Sequence, residues 1–307
     1  MQMNIKNVYT IFFSPTGSTK KIACLVGDGL ANQLAVSNNK IDFTLPQQRL
    51  HKYHFTEQDF VIFAMPVYAG RIPNKILPFV QSLFIGEHTP VVLISVFGNR
   101  NFDEALMELK IELEKQNFKA VAAAAIVSQH VFSEQIAKNR PDQQDLQEIQ
   151  QFIKDVTKQI LETKHKTKSP DSNSEQNYSG QMILNNQKTK IKSKPADLDL
   201  PGHNPVGPYY TPLGIDGEPA FFLKAKPNTD LSLCIDCKAC AGVCPMGSIE
   251  IDDVSSIPGI CIKCQACIKI CPANAKFFSD ADFISHVKML EKNYSDRADN
   301  QFFLIQS

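Results

Sequence analysis

The sequence contains no tryptophan, so one common stacking surface for a planar cofactor is missing. It contains no apolar run of bilayer length. The longest stretches, Val91 to Val96 and Val121 to Val127, fall far short of the roughly 20 residues a membrane helix needs. Neither sign of charge is in excess: 32 Lys+Arg stand against 32 Asp+Glu, so no global field recruits nucleic acid or an acidic membrane surface. Met1 to Tyr9 lacks the apolar core of a secretory signal. These absences predict a cytoplasmic protein without a membrane span. The 307 residues, 43% of them hydrophobic, are enough for two domains with ordinary cores.

Cysteine is scarce along most of the chain and crowded at one place. Eight of the nine cysteines lie between Cys234 and Cys271, in two strings that repeat every 27 residues. Each string reads C-x2-C-x2-C-x3-C-P, ending at Pro245 and at Pro272. Three thiolates at i, i+3 and i+6 can each take a different iron of a cubane, and the fourth ligand must come from further away. Structural zinc presents pairs of CxxC rather than two four-cysteine strings that close on proline. Disulfides need an oxidising compartment. The ninth cysteine, Cys24, sits in a predicted amphipathic helix and reads as a small core residue.

This spacing resembles that of bacterial ferredoxins with two [4Fe–4S] clusters, in which the fourth cysteine of each string serves the other cluster. The resemblance implies one cluster on Cys234, Cys237, Cys240 and Cys271, and a second on Cys261, Cys264, Cys267 and Cys244. Ile235, Ala239, Ala241, Val243, Ile262, Ala266, Ile268 and Ile270 are expected to keep water from the sulfides. Asp236 in the first string stands where Lys263 stands in the second. Positive charge favours the reduced cluster, so the cluster of the second string is expected at the higher potential; the alternative is that its lysines are solvated surface charges and well screened.

The N-terminal half alternates strands and helices. Strands are predicted at Val8 to Phe13, Ile41 to Leu45, Asp59 to Met65, Pro90 to Phe97 and Ala120 to Val127. Helices are predicted after Thr19 to about Leu30 or Leu34, over about Asn74 to Phe84, over Phe102 to Gln116, and from Pro141 or Asp142 to about Thr163. Such alternation calls for a parallel sheet with right-handed crossovers. Its ligand would lie beyond the carboxyl ends of the strands. Three unusual loops emerge there: Ser14-Pro15-Thr16-Gly17-Ser18-Thr19, Pro66-Val67-Tyr68-Ala69-Gly70 and Phe97-Gly98-Asn99-Arg100. The first offers N–H groups and hydroxyls to a phosphate at a helix N-terminus.

The first loop looks like the flavodoxin phosphate loop, and the other two resemble the loops that flank the flavin ring in flavodoxin-like proteins. With the cysteine strings, nearly the whole chain resembles the flavodoxin–ferredoxin fusion family. The resemblance implies a flavodoxin-like, doubly wound α/β domain with a five-stranded parallel sheet, plus a small α+β bacterial-type 2[4Fe–4S] ferredoxin-like domain. It implies FMN held at its phosphate by Ser14, Thr16, Gly17, Ser18 and Thr19. Pro66, Tyr68, Ala69 and Gly70 would lie along the ring, and Gly98, Asn99 and Arg100 at its polar edge. Arg71 and Arg100 would favour a reduced flavin or bind an acidic partner, or would form rim ion pairs. His130 is read as a satisfied structural histidine, with proton relay as the alternative, and Arg140 is discounted in the same way.

The predicted domains are 1–164 and 223–279. Residues 165–222 form a linker and junction, polar from Lys164 to about Asp197, with Tyr209, Tyr210, Leu213 and Ile215 packing across the join. Residues 280–307 give a C-terminal helix and tail, the helix covering the cluster module or docking it. The expected function is electron transfer between the clusters and FMN, with a redox protein partner and a possible small-molecule acceptor. The alternative is a pure carrier whose flavodoxin-like half docks a partner and binds no flavin.

Overall fold

The structure is a computed structural model that describes residues 4–165 and 197–305. Five parallel strands form the centre: β1 (Asn7–Phe12), β2 (Ser37–Asp42), β3 (Asp59–Pro66), β4 (Thr89–Phe97) and β5 (Phe118–Val127). Their lateral order is 2-1-3-4-5, which is the flavodoxin-like order of a doubly wound sheet. A sixth strand, β6 (Gln301–Leu304), joins antiparallel to β5, pairing Gln301 with Ala125. The sequence reading placed only a tail there. Four residues are too few for a periodic signal, and β6 is defined by the edge it covers.

Helices α1 (Ser18–Leu34) and α4 (Gln143–His165) cover one face of the sheet. Helices α2 (Leu77–Leu83) and α3 (Ala105–Lys115) cover the other. The strands alternate accordingly. Phe60, Ile62 and Ala64 face α1 and α4, while Val61, Phe63 and Met65 belong to the opposite core.

The second strand lies earlier than the predicted Ile41 to Leu45. Thr44 N–H donates to the Asp42 carboxylate at 2.9 Å, and Pro46 opens a 3-10 turn, Pro46–Arg49, so the strand stops at Asp42. Upstream, edge residue Asn38 is held between Thr10 and Asp28, each at 2.8 Å, which fixes a polar segment that reads as loop.

In the cysteine module, α5 (Ala239–Gly242) and α6 (Ala266–Lys269) are single turns at matching places in the repeat. A short helix start follows the same backbone in each. Asp236 and Lys263 both have positive φ, as do Lys238 and Gln265. The module's own core is small, built on Cys240, Ile249 and Val254. Helix α7 (Ala281–Asn293) starts at Asp280, whose carboxylate accepts the Phe283 N–H at 2.9 Å. Phe283 packs with Phe222 and Phe278 of the module side and Phe132 of the sheet domain, so the helix both covers and docks.

The predicted polar linker falls mostly outside the described residues. From Asp197 onward the junction is largely exposed but is anchored at a few buried positions. Leu198 and Leu200 are buried in the sheet domain's own core. Ile215, predicted to pack across the join, is exposed, as are Ile235 and Ile270 in the cysteine loops.

Candidate functional site

The phosphate-type loop turns from β1 into α1. Gly17 sits at φ 88, a conformation that a side chain would strain. Ser14 N–H donates to Thr44 Oγ1 at 2.8 Å, and Ser14 Oγ accepts the Lys20 N–H at 2.9 Å. Helix α1 has no side-chain cap and no acidic residue in its first turn, so its positive end faces the loop mouth uncompensated. Thr16 and Ser18 add hydroxyls there. These residues fit a phosphate.

The second loop is a tight turn. Tyr68 N–H donates to the Arg71 carbonyl at 2.8 Å, Arg71 N–H returns the bond at 3.1 Å, and Ala69 and Gly70 have φ 48 and 77. The third loop is tied to it: Glu104 N–H donates to the Gly70 carbonyl at 2.9 Å. The junction adds a further layer. Tyr210 N–H donates to the Ala69 carbonyl at 2.9 Å, and its ring lies 3.9 Å under the Arg100 guanidinium. Tyr209 donates to the Ile72 carbonyl at 2.9 Å and stacks on Arg71. Tyrosines brought in from the junction thus stand at a rim that has no tryptophan.

Two predicted edge residues have other partners. The Asn99 side-chain amide donates to the carbonyls of Tyr294 and Asp296, each at 2.7 Å, and its oxygen accepts the Ala298 N–H at 3.1 Å. It anchors the C-terminal segment, so its amide is not available to a flavin edge. Arg100 pairs with Asp103, and Arg71 with the buried Glu108. Both are rim ion pairs. His130 Nδ1 accepts the Phe132 N–H at 3.1 Å, and the ring lies against Gly98, where a β-carbon would come within 2.4 Å of it. That is the satisfied structural histidine. Burial, followed by His286, Lys269 and Arg100, pushes it down to about 4. Arg140 is likewise structural, its Nε donating to Asp145 at 3.0 Å.

The cysteines separate into two cavities. One is lined by Cys244, Cys261, Cys264 and Cys267, and the other by Cys234, Cys237, Cys240 and Cys271. Backbone donors repeat between the halves. Ser248 N–H donates to Cys244 Sγ at 3.3 Å, and Ala275 N–H to Cys271 Sγ at 3.2 Å. Each set of four lines one cavity, and four thiol sulfurs around a space fit a multi-iron group. Burial pushes the Cys267 thiol up to about 12 and Cys264 upward as well, so loading a metal there displaces protons.

The Cys244 set is the one nearest the sheet domain. Its Cys264 and Cys261 act electrostatically on Tyr68, whose hydroxyl is pushed well upward, chiefly by burial. Met246 and Ile262 pack on the sheet domain's core. Arg49 Nη2 donates to the Pro245 carbonyl at 2.6 Å. Arg49 and the buried Lys276 escaped the sequence reading. Lys276 had a signal, since it stands in the repeat where Ile249 stands in the first string. Arg49 had none.

Fold and site together define a class: a flavodoxin-like α/β unit joined to a module with two four-cysteine sets. Residues 233–275 match the family described as the 4Fe-4S dicluster domain. Among solved structures, a flavodoxin from Archaea is 16% identical, with 51% of this chain and 99% of that one covered and a TM-score of 0.35. The flavodoxin of Streptococcus pneumonia TIGR4 is 18% identical (50% and 99% covered, TM-score 0.36). Flavodoxin 2 from Bacillus cereus is 15% identical (50% and 99% covered, TM-score 0.35). At such overlap the strand order, not the superposition, defines the fold. No curated protein matches. The chain therefore joins a flavodoxin-like domain to a 4Fe–4S domain, an arrangement suited to electron transfer. Among the described residues no helix is long and apolar enough to cross a membrane.

Proposed function

We propose that this protein moves electrons between two [4Fe–4S] clusters and an FMN. The proximal cluster is held by Cys244, Cys261, Cys264 and Cys267, and the distal one by Cys234, Cys237, Cys240 and Cys271. The observation that carries the reading is the placement of the Cys244 cavity against the sheet domain, through the Arg49 bond to the Pro245 carbonyl at 2.6 Å and the packing of Met246 and Ile262 on that domain's core, whose strand edge is where flavodoxin-like folds take FMN. When bound, the clusters supply one-electron transfer, and flavin exchanges one electron or two. The protein's residues supply place and polarity. Thr16, Gly17, Ser18 and Thr19 offer N–H groups and hydroxyls to the FMN phosphate, while Ser14 braces the loop. Pro66, Tyr68, Ala69, Gly70 and Gly98 form the ring's side of the rim. Asn99 and Arg100 contribute backbone only, since their side chains are engaged. Cys237 of the distal set is exposed, which suits exchange with a redox protein partner in the cytoplasm.

The test is purification without oxygen, with iron, sulfide and flavin quantified per chain. About eight iron, eight sulfide and one FMN are expected. Zinc in place of iron, or iron retained after both strings are changed to serine, overturns the cluster reading. A fully loaded protein that neither releases nor binds FMN overturns the flavin reading and leaves a carrier with a docking domain.

A further inference from the structure

The proximal cysteine set has a cationic neighbour from the other half of the chain. Arg49, at the end of the 3-10 turn, is only 7% exposed. Its Nε donates to the Phe43 carbonyl at 2.8 Å, and its Nη2 donates to the carbonyls of Thr44 and, at 2.6 Å, Pro245. The guanidinium lies 4.9 Å over the Phe79 ring and 5.6 Å over Phe13. Among the described residues it makes no ion pair with a carboxylate. A buried cation that meets only neutral carbonyls and aromatic faces is costly unless a counter-charge lies close. The place for such a counter-charge is the cavity lined by Cys244, whose sequence neighbour Pro245 supplies the carbonyl that Arg49 holds at 2.6 Å.

We propose that Arg49 is a potential-setting residue, through which the flavodoxin-like half raises the reduction potential of the proximal cluster. The inference rests on the cluster reading above. A cluster held by four thiolates is anionic, and reduction adds one electron and one negative charge. A fixed positive charge in a low-dielectric contact favours that added charge. Of the other cations, Lys276 and Lys238 discriminate less, whereas Lys263 acts in the same direction as Arg49. Lys276, 3% exposed, acts on Cys240 of the distal set and Cys267 of the proximal one, so it favours reduction of both. Lys238 beside the distal set is paired with Asp236 at 2.7 Å. Lys263, beside Cys261, adds to the proximal side. This balance of charge favours electron flow from the distal to the proximal cluster. The same arginine grips Thr44, which accepts from the phosphate-loop residue Ser14, so the charge is fixed by the flavin domain's own frame.

The test is an anaerobic, EPR-monitored redox titration of the full, loaded chain. Arg49→Gln is expected to lower one midpoint and leave the other in place. The fall corresponds to at least a tenfold loss in the reduction equilibrium, about 59 mV for one electron. Arg49→Lys keeps the charge and restores most of the midpoint. Should Arg49→Gln fail to load, Phe79→Glu leaves the arginine's carbonyl bonds and sets a carboxylate on its face; the same midpoint falls. Iron and sulfide are counted first in every sample. A wild-type chain without iron removes the cluster reading itself. Loaded variants whose two midpoints stay fixed, or fall together, remove the assignment to Arg49 alone.

Discussion

Glu108 is 1% exposed and holds two parts of the rim at once. Its carboxylate pairs with Arg71 and accepts the Ile72 N–H at 2.9 Å. Removing one partner strands a buried charge, which costs about 3–5 kcal/mol. Glu108→Ala is expected to lose stability on that scale in urea titrations, and to loosen the turn that carries Tyr68. His130 gives a pH signature. Its pKa falls from 6.5 in the open chain to about 4 in the fold, so the unfolded chain binds more protons between those values. The stability it confers is fully present above about pH 6.5 and is lost as the pH falls toward 4. Denaturation midpoints measured across that window should drop with acid, and His130→Gln should flatten the drop. Burial is the main cause, and His286 from α7, Lys269 from the cysteine module and Arg100 from its own domain add to it.

At the scale of elements, β6 closes the β5 edge of the sheet with four residues. Its approach is pinned by Asn300, which accepts the Val127 N–H at 2.8 Å and donates to Asp145 at 2.8 Å, and by Arg297, which pairs with Asp142 at 2.6 Å. A chain ending after Asn300 would leave β5 unpaired and apolar, a template for edge-to-edge association. Size-exclusion chromatography should then show concentration-dependent association beyond that of the full chain. An unchanged profile would mean that the edge is covered by something else. Helix α7 serves a different end. Its Phe283 and its buried Met289 and Leu290 fill the space between the module and the segment around Phe132 and Ile136, so docking is apolar and little affected by salt.

Over the whole molecule, stability is uneven. The sheet domain has two large cores, whereas the apolar cluster within the cysteine module has only Cys240, Ile249 and Val254 buried, so on the cluster reading it relies on its metal ligands. Metal binding to such a site is folding free energy. Stripping iron under anaerobic chelation should collapse hydrogen-exchange protection across residues 228–277 while β1, β3 and β4 stay protected. Equal loss in both halves would show that the docking contacts, rather than the clusters, hold the module in shape.

The doubled cysteine string announced its chemistry without any structure, because the ligand spacing of a cubane is local and few other sites need it. The order of strands and helices was equally legible, since buried parallel strands are continuous apolar runs and the loops at their ends carry unusual residues. What the sequence left open came from contacts between residues far apart in the chain. Asn99 reads like a ring-edge residue, yet it anchors residues 294–298. Tyr209 and Tyr210 read as junction packing, yet they cap the two rim arginines.

The chain alone therefore determined that two four-cysteine sets follow a flavodoxin-like sheet, for both are written in short-range spacing and periodicity. Only the folded molecule decided which set faces the sheet domain, that a tail strand completes the sheet, and that an unremarked arginine lies buried against Pro245, next to Cys244. These depend on how far-apart segments share a buried, low-dielectric space, and no local pattern encodes that.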